Sequence, residues 1–122
     1  MGRREATSHS TAWIHERDLL GALLISAESG DLKVDRLENL STEHFVGPHA
    51  AATFAALRGL LQRGTQVDRH VLVDELVTRH GARRSDALDY VDALVADAPP
   101  QPHLGERIRR VCEAAARRKP RA

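Results

Sequence analysis

The sequence predicts an all-α protein with a compact multi-helix head and a basic C-terminal helix. Only 3% of its residues are aromatic, so the core must be built from Leu, Val, Ile and Ala, and Leu and Ala favour helix over sheet. Apolar residues recur at helical spacing in several segments, and no segment alternates apolar and polar residues between turn signals. At 122 residues the chain has the length of one domain and is too short for a (β/α)8 barrel.

The first helix is predicted to run from about Trp13 or His15 to Ile25. Residues 1–12 before it are polar, have no apolar period and are predicted to be a disordered tail. Gly21 lies inside the helix, where it costs about 1 kcal/mol relative to Ala, so either another helix approaches closely there or the cost is simply tolerated. The apolar face of the helix consists of Leu19, Leu20, Leu23 and Leu24.

The second and third helices are placed by turn residues. A short helix is expected over Val34–Leu40, and Ser41 can cap a single turn that extends to Phe45. Pro48 then begins the third helix, at a position where its missing N–H is harmless, and Gly64 is expected to end it. The predicted inward residues of these two helices are Val34, Leu37 and Leu40, then Phe54, Leu57 and Leu61.

Capping signals also define the remaining helices of the head, which is predicted to span residues 13–97. Asp68 is expected to cap the fourth helix, Gly81 to end it, and Ser85 to cap the fifth. Residues 98–102 contain three prolines and form a stiff joint before a basic helix and tail over residues 103–122. The inward stripes are predicted to be Leu72, Val73, Leu76 and Val77, then Leu88, Val91, Leu94 and Val95.

Charge is balanced overall but uneven along the chain. The net charge is +1, yet residues 103–122 carry +5 and residues 1–102 therefore carry −4. A basic end of this kind binds nucleic acid, binds an acidic partner, or is only a solvated helix end. The candidate contacts for nucleic acid or an acidic partner are Arg107, Arg109, Arg110, Arg117 and Arg118.

The last helix carries a narrow apolar seam. Its residues are spaced by 4, 3 and 4 positions, which is typical of a contact with a single facing helix. The seam is therefore predicted to mediate self-association, and the alternative is that it folds back onto the domain's own surface. The seam consists of Leu104, Ile108, Val111 and Ala115.

The sequence contains no arrangement that predicts catalysis, a cofactor or a metal. The seven histidines and the single Cys112 lack the i, i+4 spacing of two metal ligands on one helix face, and no serine lies in a nucleophile motif. The fourth and fifth helices resemble a helix-turn-helix, but the second of them carries Asp86, Asp89 and Asp92, which would repel phosphates. No signal peptide or membrane span is predicted, so a cytoplasmic protein is expected.

Several short motifs follow one another in a familiar order. They are Glu16-Arg17-Asp18-Leu19-Leu20-Gly21-Ala22-Leu23-Leu24, Phe45-Val46-Gly47-Pro48 with Phe54 and Leu57, Gly64-Thr65-Gln66-Val67-Asp68, Leu76, Leu88-Asp89-Tyr90-Val91 with Leu94, and Pro99. Over about residues 13–118 the chain resembles the N-terminal domain of DnaB-type bacterial replicative DNA helicases. It departs from that family's Tyr, His, Pro and Gly-Gly pair at Val46, Ala50, Gln66 and Asp86-Ala87.

The resemblance implies a non-catalytic protein–protein interaction module of DNA replication. In that family this domain forms dimers within a ring and docks the primase, so the implied partners are another copy of the chain, a replicative helicase or primase. The last helix resembles the first arm of the family's helical hairpin, and no second arm is found. The sequence also lacks the phosphate-binding motif G-x-x-x-x-G-K-[ST], so the chain is expected to be either a fragment of an ATP-dependent helicase or a stand-alone relative. The alternative function is non-specific association with nucleic acid through the basic helix.

Overall fold

The computed structural model describes residues 3–99 and 103–118, with side chains described from residue 14 to residue 117. Within these ranges the chain forms only helices, which confirms the all-α prediction. The helices are α1 (Arg3–Glu28), α2 (Pro48–Gln62), α3 (Arg69–His80), α4 (Arg84–Ala96) and α5 (Leu104–Arg118). Two short 3-10 turns, Val34–Leu37 and Thr42–His44, lie between α1 and α2.

Helix α1 is the central element of the fold. It packs against α2, α4 and α5, while α3 packs between α2 and α4. The predicted apolar face of α1 is fully buried, and Phe54 of α2 lies in the same core cluster with none of its surface exposed. The four leucines of that face are each exposed by 1% or less: Leu19, Leu20, Leu23 and Leu24.

Helix α1 is longer than predicted at both ends. It begins at Arg3, so residues 3–12, which we predicted as a disordered tail, form its N-terminal turns. The stretch from Arg3 to Leu20 contains no Gly or Pro to interrupt a helix, and its Arg, Glu and Ala residues favour one. The sequence prediction relied on an apolar period, which reports burial rather than helix formation.

The segment after α1 is less helical than predicted. The expected helix over Val34–Leu40 is one 3-10 turn that ends at Leu37, although Leu37 and Leu40 are buried as predicted. A second 3-10 turn follows Ser41, whose N–H donates to Nδ1 of His44 at 3.0 Å. Segments this short make too few i→i+4 hydrogen bonds to stabilise an α-helix.

The predicted ends of α2 and α3 are confirmed. Pro48 occupies the first position of α2, and Oδ1 of Asp68 accepts the N–H of Val71 at 2.9 Å to cap α3. Gly81 ends α3 in the left-handed conformation, with φ +70°. These features depend on nearest neighbours in the sequence, which is why they could be predicted.

The predicted start and inward face of α4 were partly wrong. The helix begins at Arg84 and its N-cap is Arg83, so Ser85 lies inside the first turn. The buried face is formed by Ala87, Val91 and Leu94, and Leu88 is 36% exposed. Leu88, Val91 and Val95 also have helical spacing, so the packing of α4 against its neighbours decides that Ala87 lies on the buried side.

Gly21 allows α1 to touch the end of α4. A Cβ atom at this position would lie 2.7 Å from the carbonyl oxygen of Leu94 and 3.1 Å from Cβ of Ala98. Of the two interpretations offered by the sequence, the close approach of another helix is therefore the one the structure supports.

Glu16 attaches the loop before α2 to α1. Its residue surface is 1% exposed, and its Oε1 accepts the N–H of Val46 at 2.8 Å. A carboxylate forms a strong hydrogen bond with a backbone N–H, and this one joins segments 30 residues apart in sequence. The Glu at the start of the first motif thus fixes where α2 begins relative to α1.

We expect Glu16→Leu to lower the free energy of unfolding by about 1 kcal/mol, because the Val46 N–H loses its acceptor. Glu16→Gln retains an amide oxygen at that position and should cost less. Thermal melts followed by circular dichroism measure both variants, with Glu43→Leu as a control because Glu43 is exposed. Equal losses in the Glu16→Leu and Glu43→Leu variants would contradict this role.

Candidate interaction surface on the C-terminal helix

The apolar seam of α5 faces the domain's own core. Val111 is 1% exposed and Ala115 is 8% exposed, while Leu104 and Ile108 are half-buried. Leu104 and Ile108 pack against the core cluster that includes Val111, and α5 contacts α1 and the second 3-10 turn. The seam is therefore not exposed for self-association. The facing helix that the spacing of the seam requires is α1 of the same chain.

Two polar contacts also join α5 to the head. Nη1 of Arg107 lies 3.8 Å from Oδ2 of Asp18 on α1, and Sγ of Cys112 donates to the carbonyl oxygen of Asn39 at 3.7 Å. Burial raises the pKa of the Cys112 thiol, which disfavours the reactive thiolate. Cys112 is thus a packing residue, and Arg107 is half-buried rather than presented to solvent.

The outer face of α5 carries a network of ion pairs. Nη2 of Arg109 lies 2.6 Å from Oε1 of Glu106, its Nη1 lies 2.7 Å from Oε2 of Glu113, and Nε of Arg110 lies 3.2 Å from Oε1 of Glu106. The hydrogen bond from Arg109 lowers the pKa of the Glu106 carboxyl, and the bond to Glu106 raises the pKa of Arg109. Both groups stay ionised at neutral pH.

The five arginines predicted to contact nucleic acid or an acidic partner are therefore not equivalent. Three of them, Arg107, Arg109 and Arg110, already lie beside carboxylates of the same chain. Arg117 is exposed near the end of α5, and Arg118 lies in α5 with its side chain outside the described residues. The positive charge that the structure presents to solvent is smaller than the sequence count indicates.

A negatively charged face covers the outside of α4. Asp86, Asp89 and Asp92 are all exposed, and Leu88 lies among them. At the start of α4, Arg84 forms an ion pair with Asp74 of α3 at 2.8 Å. Helix α4 thus presents carboxylates where a helix-turn-helix protein would present its reading surface.

Tyr90 of α4 lies at a junction with α1 and α2. The Arg17 guanidinium lies 5.9 Å from the centre of its ring, and the His49 ring lies 5.8 Å away. Burial raises the pKa of the Tyr90 phenol to about 12, so the group stays a neutral hydrogen-bond donor. Sequence reasoning used Tyr90 only as a motif residue, since no local pattern signals this junction.

Tyr90 is the only tyrosine, so its ionisation can be followed directly. We expect phenolate absorbance in the folded protein to rise with a midpoint near pH 12, compared with about 10 in the urea-unfolded chain. Because the unfolded chain releases this proton first, stability should fall as pH rises from about 10 to about 12. A midpoint near 10 in the folded protein would show that Tyr90 is solvated.

No three His, Cys, Asp or Glu side chains of residues 14–99 and 103–117 come together as a possible metal site. None of the helices in the described part of the chain is long and apolar enough to span a membrane.

A family model described as DnaB-like helicase N terminal domain matches residues 11–113. The match includes the leucine face of α1, all of α2, α3 and α4, and the first ten residues of α5. No match was found among curated proteins or solved structures.

Proposed function

Because the chain belongs to the family of DnaB-like helicase N-terminal domains, we propose that it is a non-catalytic protein–protein interaction module of DNA replication. The match over residues 11–113 is the observation that carries this proposal. The sequence contains no loop of the kind that holds nucleotide phosphates in a helicase motor, which supports a binding rather than a catalytic role. The module would act in the cytoplasm, where replication takes place.

The proposed partners are a second copy of the chain, a replicative helicase and primase. Because the α5 seam is buried, we place the proposed contacts on exposed surfaces. The carboxylates of α4 carry a charge opposite to that of Arg117, which is exposed near the end of α5, and complementary potentials of this kind guide association between proteins. A contact between the α4 face of one copy and the C-terminal segment of another would use both surfaces.

Binding measurements with purified components test this function. The immobilised chain is titrated with replicative helicase and primase from the same organism, and light scattering follows its own association as salt is raised. Binding of at least one partner is expected, weakened in a variant with Asp86, Asp89 and Asp92 replaced by Asn. The control replaces the exposed Asp31 and Asp35 by Asn, which should have little effect. Absence of association with all three partners up to roughly 100 μM would reject the proposal.

Binding to nucleic acid is expected to be weak and sensitive to salt. Arg107, Arg109 and Arg110 would have to leave carboxylates of their own chain to reach phosphates. Fluorescence anisotropy with labelled DNA should therefore show an affinity that collapses between low and physiological salt. Tight binding at physiological salt with a preference for one sequence would instead favour the nucleic-acid function.

A further inference from the structure

A cavity of about 400 Å³ lies where the start of α2, the end of α3 and the start of α4 meet. Most of its walls are apolar, and they include Ala52, Leu76, Ala82, Ala87 and the ring of Tyr90. Leu76 and Ala87 are buried, so the floor of the cavity is continuous with the core of the head. A cavity of this kind can hold a large apolar side chain, which is how the strongest contacts of many protein interfaces are made.

A row of carboxylates begins at the edge of this cavity and continues along α4. Asp86 lines the cavity, and Asp89 and Asp92 follow at intervals of about 4.5 Å along the helix axis. All three are exposed, and none forms an ion pair with a residue that the structure describes. The basic residue of α4, Arg84, pairs with Asp74 of α3 instead. The row is thus a negative surface that is not neutralised by the described part of the chain.

Three basic side chains lie elsewhere on the rim of the cavity. His49 and His80 belong to α2 and α3, and Arg83 is the N-cap of α4. The carboxylate row extends away from Arg83, towards the C-terminal end of α4. A positively charged partner is therefore attracted along α4 and repelled from the rest of the rim, which gives it one favoured direction.

The last helix of a second copy does not supply both features of such a partner. Its exposed Arg117 can meet the carboxylates, but its large apolar residues Leu104, Ile108 and Val111 pack against its own head. A helix that carries a free apolar side chain and basic residues on one face supplies both.

We propose that the cavity and the carboxylate row together bind an amphipathic helix of a different protein. One large apolar side chain of that helix lies in the cavity, and Lys or Arg side chains at intervals of three or four residues lie along Asp86, Asp89 and Asp92. This inference rests on the proposed function, because it names the kind of partner that the interaction module binds. The apolar contact supplies most of the affinity, and the charges set the direction of the helix.

Helical peptides test the inference on the full chain. The probe is a peptide of about 18 alanine and lysine residues, with the lysines in one stripe and a single leucine beside it. We expect saturable shifts of the Ala82, Ala87 and Tyr90 amides in two-dimensional NMR, with a dissociation constant below roughly 1 mM. Replacing the leucine of the peptide by alanine should weaken binding at least about tenfold, since one buried apolar side chain is lost. Replacing its lysines by glutamates should abolish binding.

Matched variants of the chain assign the contacts. Ala52→Leu fills the cavity without changing the charge, so it should weaken binding of the leucine peptide at least about tenfold and leave the alanine peptide unaffected. Ala82→Leu fills the same cavity from the turn after α3, in case Ala52→Leu lowers the melting temperature. Ala116→Leu, on the exposed face of α5, is the control. Asp89→Asn should weaken both peptides about twofold to fivefold, whereas Asp31→Asn should have no effect.

The inference and the proposed function can fail separately. Absence of saturable shifts up to roughly 1 mM, equal binding of the leucine and alanine peptides, or full affinity in both cavity-filling variants would overturn the inference. A peptide of residues 103–122 that bound as tightly as the leucine peptide would also overturn it, because charge alone would then decide. If helicase or primase binds the wild-type chain and the Ala52→Leu and Ala82→Leu variants equally, only this inference fails. If neither protein binds and the chain does not associate with itself, the proposed function fails.

Discussion

Replacing Val111 by Asp should lower the free energy of unfolding by about 3–5 kcal/mol, because it places a carboxylate without a partner in the core. Val111 is 1% exposed and belongs to the same cluster as the leucines of α1. The ionised side chain would lose its hydration, and the lowest-energy response is for α5 to leave the head. We therefore expect a lower melting temperature together with a loss of helix measured by circular dichroism.

The control for this prediction lies on the same helix. Ala116 is exposed, so Ala116→Asp introduces the same charge on the outer face of α5 and should change stability by only about 0.5 kcal/mol. Light scattering on both variants separates burial within one chain from burial between two. If Val111→Asp left the melting temperature unchanged but converted a dimer to a monomer, the fold-back arrangement would be refuted.

Gly21→Ala is expected to destabilise the protein by about 2–3 kcal/mol, although Ala is the better helix former. The new Cβ would lie 2.7 Å from the Leu94 carbonyl oxygen, which is closer than van der Waals contact allows. The obstacle is backbone, which cannot rotate away as the end of a long side chain could. Helices α1 and α4 would have to separate, which would loosen the packing around Leu20 and Leu94.

Gly105→Ala tests whether helix propensity or packing decides if a Gly→Ala substitution stabilises or destabilises the protein. Gly105 lies in the first turn of α5, and a Cβ there would meet no atom of the residues that the structure describes within 4 Å. The same substitution should therefore stabilise by up to about 1 kcal/mol. Chemical denaturation of both variants gives the comparison, and stabilisation by Gly21→Ala would show that α1 and α4 do not meet as described.

The features that could be predicted from the sequence are those that depend on neighbours along the chain. The Asp68 cap and the left-handed Gly81 follow from local backbone chemistry, and the leucine face of α1 follows from helical spacing. The family resemblance could be recognised because its motifs are short and ordered. Each of these signals is complete within about ten residues.

The features that could not be predicted depend on distant residues. Whether the α5 seam meets another chain or its own α1 cannot be decided from the seam, because both partners would present the same kind of apolar surface. The burial of Ala87 in place of Leu88 depends on how closely α4 lies to its neighbours. The junction at Tyr90 needs α1, α2 and α4 in position, and no single segment encodes it.

The position of α1 at the centre of the fold has a consequence for biosynthesis. The N-terminal helix leaves the ribosome first, yet it packs against α4 and α5, and Arg17 pairs with Asp97, 80 residues later. At synthesis rates of about 5–20 residues per second this delay is on the order of ten seconds. During that interval part of the final covering of the α1 leucine face is missing, and the leucines concerned are Leu19, Leu20, Leu23 and Leu24. The core of the head can close only after α5 has been synthesised, because Val111 of α5 belongs to the same cluster as the leucines of α1.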